Sequence, residues 1–174
     1  NSLRFTTTGG YNTAVGGDAL FSNTTASQNT AIGYQAAYST TTVGGITAIG
    51  AKALQSNTTG SFNTAVGGEV PSTQGAALQS NTTGTYNTAM GVGALTSNTT
   101  SSYNSAFGAN ALPINTGASN TAVGSQALAQ NTTASNNTAV GYRAGYTNTG
   151  ADNIFVGKDS GYSNSTGTAN AFIG

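Results

Sequence analysis

Four carboxylates, Asp18, Glu69, Asp152 and Asp159, are the only side chains in this sequence suited to acid–base chemistry, because the chain has no histidine and no cysteine. Without imidazole or thiolate there is no metal site of the usual nitrogen or sulfur type, no redox motif, no disulfide, and no Ser-His or Cys-His nucleophile pair. Asp152 and Asp159 are close in sequence, and two carboxyl groups across a scissile bond can hydrolyse glycosides. A few charges scattered over solvated turns explain the same residues more simply. Seven asparagines fit Asn-x-Ser/Thr: Asn23, Asn57, Asn81, Asn98, Asn131, Asn136 and Asn164. They are glycosylation acceptors if exposed in a secreted chain, and turn residues otherwise. Tyrosines are the remaining surface chemistry. Tyr34 and Tyr142 sit beside positions that carry charge, where an aromatic ring can stack on a sugar. Tyr34, Tyr142, Glu69 and Pro71 are therefore the candidate recognition residues.

The background to these few groups is uniform. Gly, Ala, Thr, Asn and Ser supply 121 of 174 residues, and charged residues are 5%, against roughly 25% in average proteins. Net charge is zero, with four basic residues, too few for a phosphate-binding stripe. Nucleic acid is not an expected partner. No apolar run reaches the roughly 18–20 residues of a membrane span, so membrane insertion is not expected. No cofactor is implied, and an enzyme is not expected.

Such a composition suits a disordered chain, but the order of the residues does not. A unit Asn-Thr-Ala-(Val/Ile/Met)-Gly recurs, with its glycines at 16, 33, 50, 67, 91, 108, 124, 141, 157 and 174. The spacing is 17 residues, except for one gap of 24 and two of 16. A fixed period of this kind marks a repeat architecture. After each glycine come two variable residues, then Ala-Leu (Ala19-Leu20, Ala53-Leu54, Ala94-Leu95, Ala127-Leu128), then Asn-Thr-Thr and a short turn. Seventeen residues interrupted twice by turn residues cannot hold the two helices of a helical repeat, which needs about 33 or more. They can hold two short strands: Thr-Ala-Val, which alternates, and Ala-Leu with the residues after it. The expected fold is all-β, a parallel β-solenoid or β-roll of about ten 17-residue coils with two short strands per coil, forming one domain over 1–174 with repeats from about 10 to 174. Stacked coils place like residues above one another. Asn12, Asn29, Asn63, Asn87, Asn104, Asn120 and Asn137 should then form a structural ladder that satisfies its own polar groups. Residues 68–74 are expected to bulge as a seven-residue loop. The 16-residue gaps drop one residue from the turn, at Asn115-Thr116-Gly117 and Asn148-Thr149-Gly150. Coil three is irregular, with Ile46 where the motif has Asn and Thr40 in place of the second Asn.

A coil this small encloses little. Thr13 and Val15 share one strand face, Asn12, Ala14 and Gly16 the other, and the leucines make a second apolar row. Two apolar rows are more than a narrow roll needs inside, so one of them should be exposed on a single chain and buried between chains. Five of the eight charges, Asp18, Lys52, Glu69, Arg143 and Asp159, fall at the second residue after the motif glycine. That position must face solvent.

The unit Asn12-Thr13-Ala14-Val15-Gly16 and its copies resemble the Asn-Ser-Val-Ala-Ile-Gly type repeats of YadA-like heads in trimeric autotransporter adhesins. The longer unit, through Ala-Leu and Asn-Thr-Thr-Gly, is similar to repeats of phage tail fibres and bacterial surface fibres, many of them matured by a cleaved chaperone. The departures are a period of 17, where the adhesin heads are usually shorter, an Ala-Leu second strand, and Thr13 in place of an apolar residue. The resemblance implies a left-handed roll, a homotrimer, an extracellular place on a cell surface or virion, and a role as a fibre segment contacting a host-surface glycan or protein. The chain is then expected to be part of a longer fibre. Two other functions remain open. Thr arrays on β-solenoids can bind ice, although Thr24-Thr25, Thr58-Thr59 and Thr82-Thr83 are adjacent rather than alternating. A tailspike that cleaves polysaccharide would use the carboxylates.

Overall fold

In the computed structural model, which describes all 174 residues, the chain winds into a solenoid of about nine turns with ten three-residue strands and no helix. The strands are β1 (Thr13–Val15), β2 (Thr30–Ile32), β3 (Thr47–Ile49), β4 (Thr64–Val66), β5 (Thr88–Met90), β6 (Ser105–Phe107), β7 (Thr121–Val123), β8 (Thr138–Val140), β9 (Ile154–Val156) and β10 (Ala171–Ile173). They form one parallel sheet in chain order, each strand beside the next. The register places like on like: Thr13 opposite Thr30, Ala14 opposite Ala31, Val15 opposite Ile32. A shift by one residue would move Val inside and Ala out, so the alternating pattern fixes the pairing.

Only one of the two expected strands per coil forms. Ala-Leu is a turn. In a strand, successive side chains point to opposite faces, yet Ala53 and Leu54 are both fully buried, as are Ala94 and Leu95. The backbone permits this by placing leucine in the left-handed region, with φ 51° at Leu54 and 49° at Leu95. That conformation costs an L-residue roughly 1–2 kcal/mol. Full burial of a leucine is worth about 1.5–3 kcal/mol, so the core holds the strained turn. Asn57 N–H then donates to Leu54 O at 3.1 Å, closing the turn within the coil. Coil-to-coil bonds continue through it, as from Leu54 N–H to Ala77 O at 3.1 Å. The turn is as regular a ladder as the strand.

The interior is therefore thin and made chiefly of two rows, alanine from the strands and leucine from the turns, with the turn alanines buried beside them. The motif glycines make the sharp step between them. At Gly91, φ is 133°, and a Cβ would stand 2.6 Å from Gly108 O in the next coil. Near the end the two rows exchange size. Strand β9 supplies Phe155 where earlier strands supply alanine, and the turns supply Gly145 and Gly161 where earlier turns supply leucine. A Cβ on Gly145 would meet the Phe155 ring at 2.7 Å, and one on Gly161 at 2.1 Å. The ring fills the space the leucines vacate, and is itself fully buried.

The seven-residue insertion leaves the coil without disturbing it. Ala77 N–H bonds to Gly67 O at 3.0 Å, the same turn that Ala94 N–H makes with Gly91 O at 3.2 Å in a regular coil. Outside the coil, Val70 and Gln74 pair as an antiparallel bridge around an exposed tip at Pro71, Ser72 and Thr73.

Candidate functional site

The asparagines work as a pair of ladders. In the first, the side-chain oxygen of each motif asparagine accepts the backbone N–H of its counterpart one coil on. Asn12 accepts from Asn29 at 3.0 Å, Asn63 from Asn87 at 2.9 Å, Asn87 from Asn104 at 3.0 Å, Asn104 from Asn120 at 3.0 Å and Asn120 from Asn137 at 2.9 Å. The amide nitrogens donate to turn carbonyls in the next coil, as Asn63 does to Gly84 O at 2.7 Å and Asn120 to Ala134 O at 2.9 Å, except at Asn137, whose buried Nδ2 has no partner. The series continues past Asn137 to Asn153 and Asn170. Ile46 breaks it, because an alkyl side chain accepts nothing.

The second ladder runs through the Asn-Thr-Thr turns. Asn81 Nδ2 donates to Asn57 Oδ1 at 2.9 Å and Asn98 Nδ2 to Asn81 Oδ1 at 3.0 Å. Buried oxygens of Asn23, Asn98 and Asn131 lack a partner. Each faces an irregular neighbour. After Asn23 comes Thr40, and after Asn98 and Asn131 come the shortened turns of Asn115 and Asn148. Those two asparagines donate only within their own turns, to Gly117 O and Gly150 O, whereas Asn81 and Asn98 donate both within their turns and back to the coil before. Asn23, Asn57, Asn81, Asn98 and Asn131 are fully buried in the folded roll. Their Asn-x-Thr pattern is therefore accounted for by the ladder.

The second strand face carries the unexplained surface. Alanine faces inward, so Thr13, Val15 and their copies face outward. Val15, Ile32, Ile49, Met90, Phe107, Val123, Val140, Val156 and Ile173 are all exposed large apolar residues in register on one sheet face. Val123 and Val156 remain 37% exposed even though both have neighbouring strands on either side. Of the two apolar rows, leucine is inside and valine outside. Sequence reasoning left that choice open.

The candidate recognition residues do not converge. Tyr34 follows β2 and Tyr142 follows β8, six coils away, and both are exposed. The Arg143 guanidinium lies 4.9 Å from the centre of the Tyr142 ring, a cation–π contact. Glu69 is half-buried and bound to Lys52 Nζ at 2.8 Å, at the root of the loop that carries Pro71. The carboxylates do not form one centre either. Asp152 precedes β9 and accepts from Asn136 Nδ2 at 3.0 Å; Asp159 follows β9 and pairs with Lys158 at 3.0 Å. No group of three or more acidic residues is placed to hold a metal ion. No helix is long and apolar enough to cross a membrane.

The aromatic residues form short stacks between coils. Phe62 lies on Tyr86 at 5.1 Å between ring centres, and Tyr86 on Tyr103 at 5.3 Å. Phe21 stacks on Tyr38 and Tyr146 on Tyr162, each at 5.0 Å. The first stack is exposed, with Tyr103 60% accessible.

No family model, no curated protein and no solved structure matches this chain.

Proposed function

We propose that this chain is a structural and adhesive segment of a fibre, assembling with copies of itself, most simply as a homotrimer, and presenting its turns to an external surface. One observation carries the reading. A row of outward Val, Ile, Met and Phe side chains runs the length of the sheet in register. Surfaces of monomeric proteins scatter such residues rather than align them. Parallel rolls sharing an axis along the solenoid would bury this row from end to end. Trimer order, left-handed winding and an extracellular place on a bacterial cell or virion, as in a tail fibre or surface adhesin, come from the resemblance of the repeat. Replacing Val123 and Val140 together by lysine places charge in the centre of the row. Sedimentation should then find a single folded chain where the parent sediments as an assembly. An assembly of unchanged mass would remove the row from the interface.

A second reading draws on the same face. Thr13, Thr30, Thr47, Thr64, Thr88, Thr121 and Thr138 stand in line beside the apolar row, at the 4.7–4.9 Å repeat usual between strands. Aligned threonines beside apolar groups suit ice binding. Thermal hysteresis in a solution of the monomeric chain would favour this reading, and its absence would remove it.

A further inference from the structure

We propose that the corner of coil three is a binding site for a neutral sugar ring, with Phe62 as its platform. This sharpens the adhesive part of the proposed function to one place and one ligand class. The residue before each motif asparagine sits in the left-handed region, at φ 59° for Tyr11, 62° for Gln28, 55° for Phe62 and 56° for Tyr86. In successive coils these side chains lie one over another. Tyr86 covers one face of Phe62. The residue that would cover the other face is Gly45, where a Cβ would stand 2.9 Å from Phe62 Cδ1. The residue before it, Gly44, also lacks a side chain, where other coils place Ser27, Ser61, Thr85 or Ser102. Two adjacent glycines thus open a cleft of about 380 Å³ onto a bare aromatic face. That volume lies within the roughly 300–1,000 Å³ of small-molecule sites.

The backbone supplies a second, independent observation. Along this corner, each N–H bonds to a carbonyl in the coil before. Gln28 donates to Gly10 O at 3.1 Å, Gly45 to Ser27 O at 3.4 Å, Tyr86 to Ser61 O at 3.2 Å and Tyr103 to Thr85 O at 3.1 Å. The rung from Phe62 N–H to Gly44 O is missing, and neither group has another protein partner. A donor and an acceptor are left at the cleft beside the uncovered ring.

The ligand follows from these groups. The other polar side chains at the cleft are Thr25, Ser27, Gln28, Thr42 and Ser61, and no lining residue is charged. A pyranose offers a C–H face to the electron-rich face of a ring, and hydroxyls that both donate and accept. A partner's aromatic side chain would cover Phe62 but leave the donors and acceptors unmatched. An ionic ligand would find no counter-charge.

Saturation-transfer NMR on the full chain tests this, with methyl β-glucopyranoside, methyl β-galactopyranoside, methyl α-mannopyranoside and N-acetylglucosamine as probes and N-acetyltyrosinamide as comparison. At least one sugar should saturate in the millimolar range, more tightly than N-acetyltyrosinamide. Gly45→Tyr closes the cleft with a residue the same corner already accepts at Tyr11, Tyr86 and Tyr103, the exposed Phe62 ring shifting to admit its Cβ, and should weaken binding at least tenfold while the roll still unfolds as one cooperative unit. Phe62→Ala should abolish it. No saturable transfer from any sugar up to roughly 50 mM, far weaker than a useful single-ring site, would overturn the proposal. So would equal binding by the Gly45→Tyr chain, or tighter binding of N-acetyltyrosinamide. Solution mass does not enter these readouts, so the cleft and the assembly fail separately.

Discussion

Asn104 ties its coil to both neighbours, to the next through its side chain and to the one before through its backbone N–H. Its oxygen holds Asn120 N–H and its nitrogen holds Gly117 O at 3.1 Å, while its own N–H is held by Asn87. Asn104→Ala leaves the buried Asn120 N–H unpaired, at about 1–3 kcal/mol, and removes one of the two donors to Gly117 O, which Asn115 Nδ2 still holds. Denaturant unfolding should therefore show a loss of about 2 kcal/mol at fixed protein concentration. Asn12→Ala, in the half-buried first coil, should cost less than half of that. Equal losses would mean that the ladder contributes through the coil rather than through its hydrogen bonds. These asparagines were legible from sequence because a polar residue repeated in phase with the strand has to find partners up and down the stack. Which atoms pair was not legible. In the first ladder the bond runs from side chain to backbone, with an added amide-to-amide bond only from Asn170 to Asn153, and amide-to-amide pairing carries the second ladder. The free oxygens of Asn98 and Asn131 follow only once the shortened turns are seen to keep their amides to themselves, and that of Asn23 follows from Thr40, which has no side-chain amide to donate.

Each coil combines a strand that its sequence announces with a turn that its sequence conceals. Thr-Ala-Val-Gly alternates, ends in glycine and pairs with its own copy, so its strand could be read directly. Ala-Leu looks like a strand because leucine rarely adopts positive φ, and nothing in its neighbours signals the left-handed turn. The turn is forced from outside, by a core thin enough to want both side chains. That same core explains the exchange at the end of the array. Phe155→Ala should cost about 3–5 kcal/mol, the usual loss for a buried ring. Gly145→Leu alone should also destabilise, since Gly145 already touches the ring. The two together rebuild a regular coil at that level and should recover at least 1 kcal/mol relative to the sum of the single losses. Additive losses would show that the ring and the glycine are not packing partners. The loop at 68–74 behaves oppositely. Its deletion returns the period to 17 and joins Gly67 to Gly75, whose carbonyl already takes the rung from Gly93 N–H at 2.8 Å. The deleted Lys52–Glu69 pair is partly exposed and worth little. Thermal unfolding should shift by less than about 1 kcal/mol in stability, and collapse of the roll would place the loop within the folding unit.

Across the whole molecule, periodicity set the architecture and left the surface ambiguous. A parallel roll was readable from ten glycines at a period of 17, broken only by one gap of 24 and two of 16. Which apolar row lay inside was not, because valine and leucine are equally suited to burial. Size decides it: alanine from the strand leaves room for leucine from the turn, and valine is turned out. The result is a long, nearly uncharged body with an apolar seam along one face. That seam is the feature the proposed assembly would bury. Light scattering of the purified chain across a wide concentration range tests it most directly. The account predicts a mass about three times the 17.1 kDa of one chain, unchanged on dilution. A mass of 17.1 kDa at every concentration would contradict it.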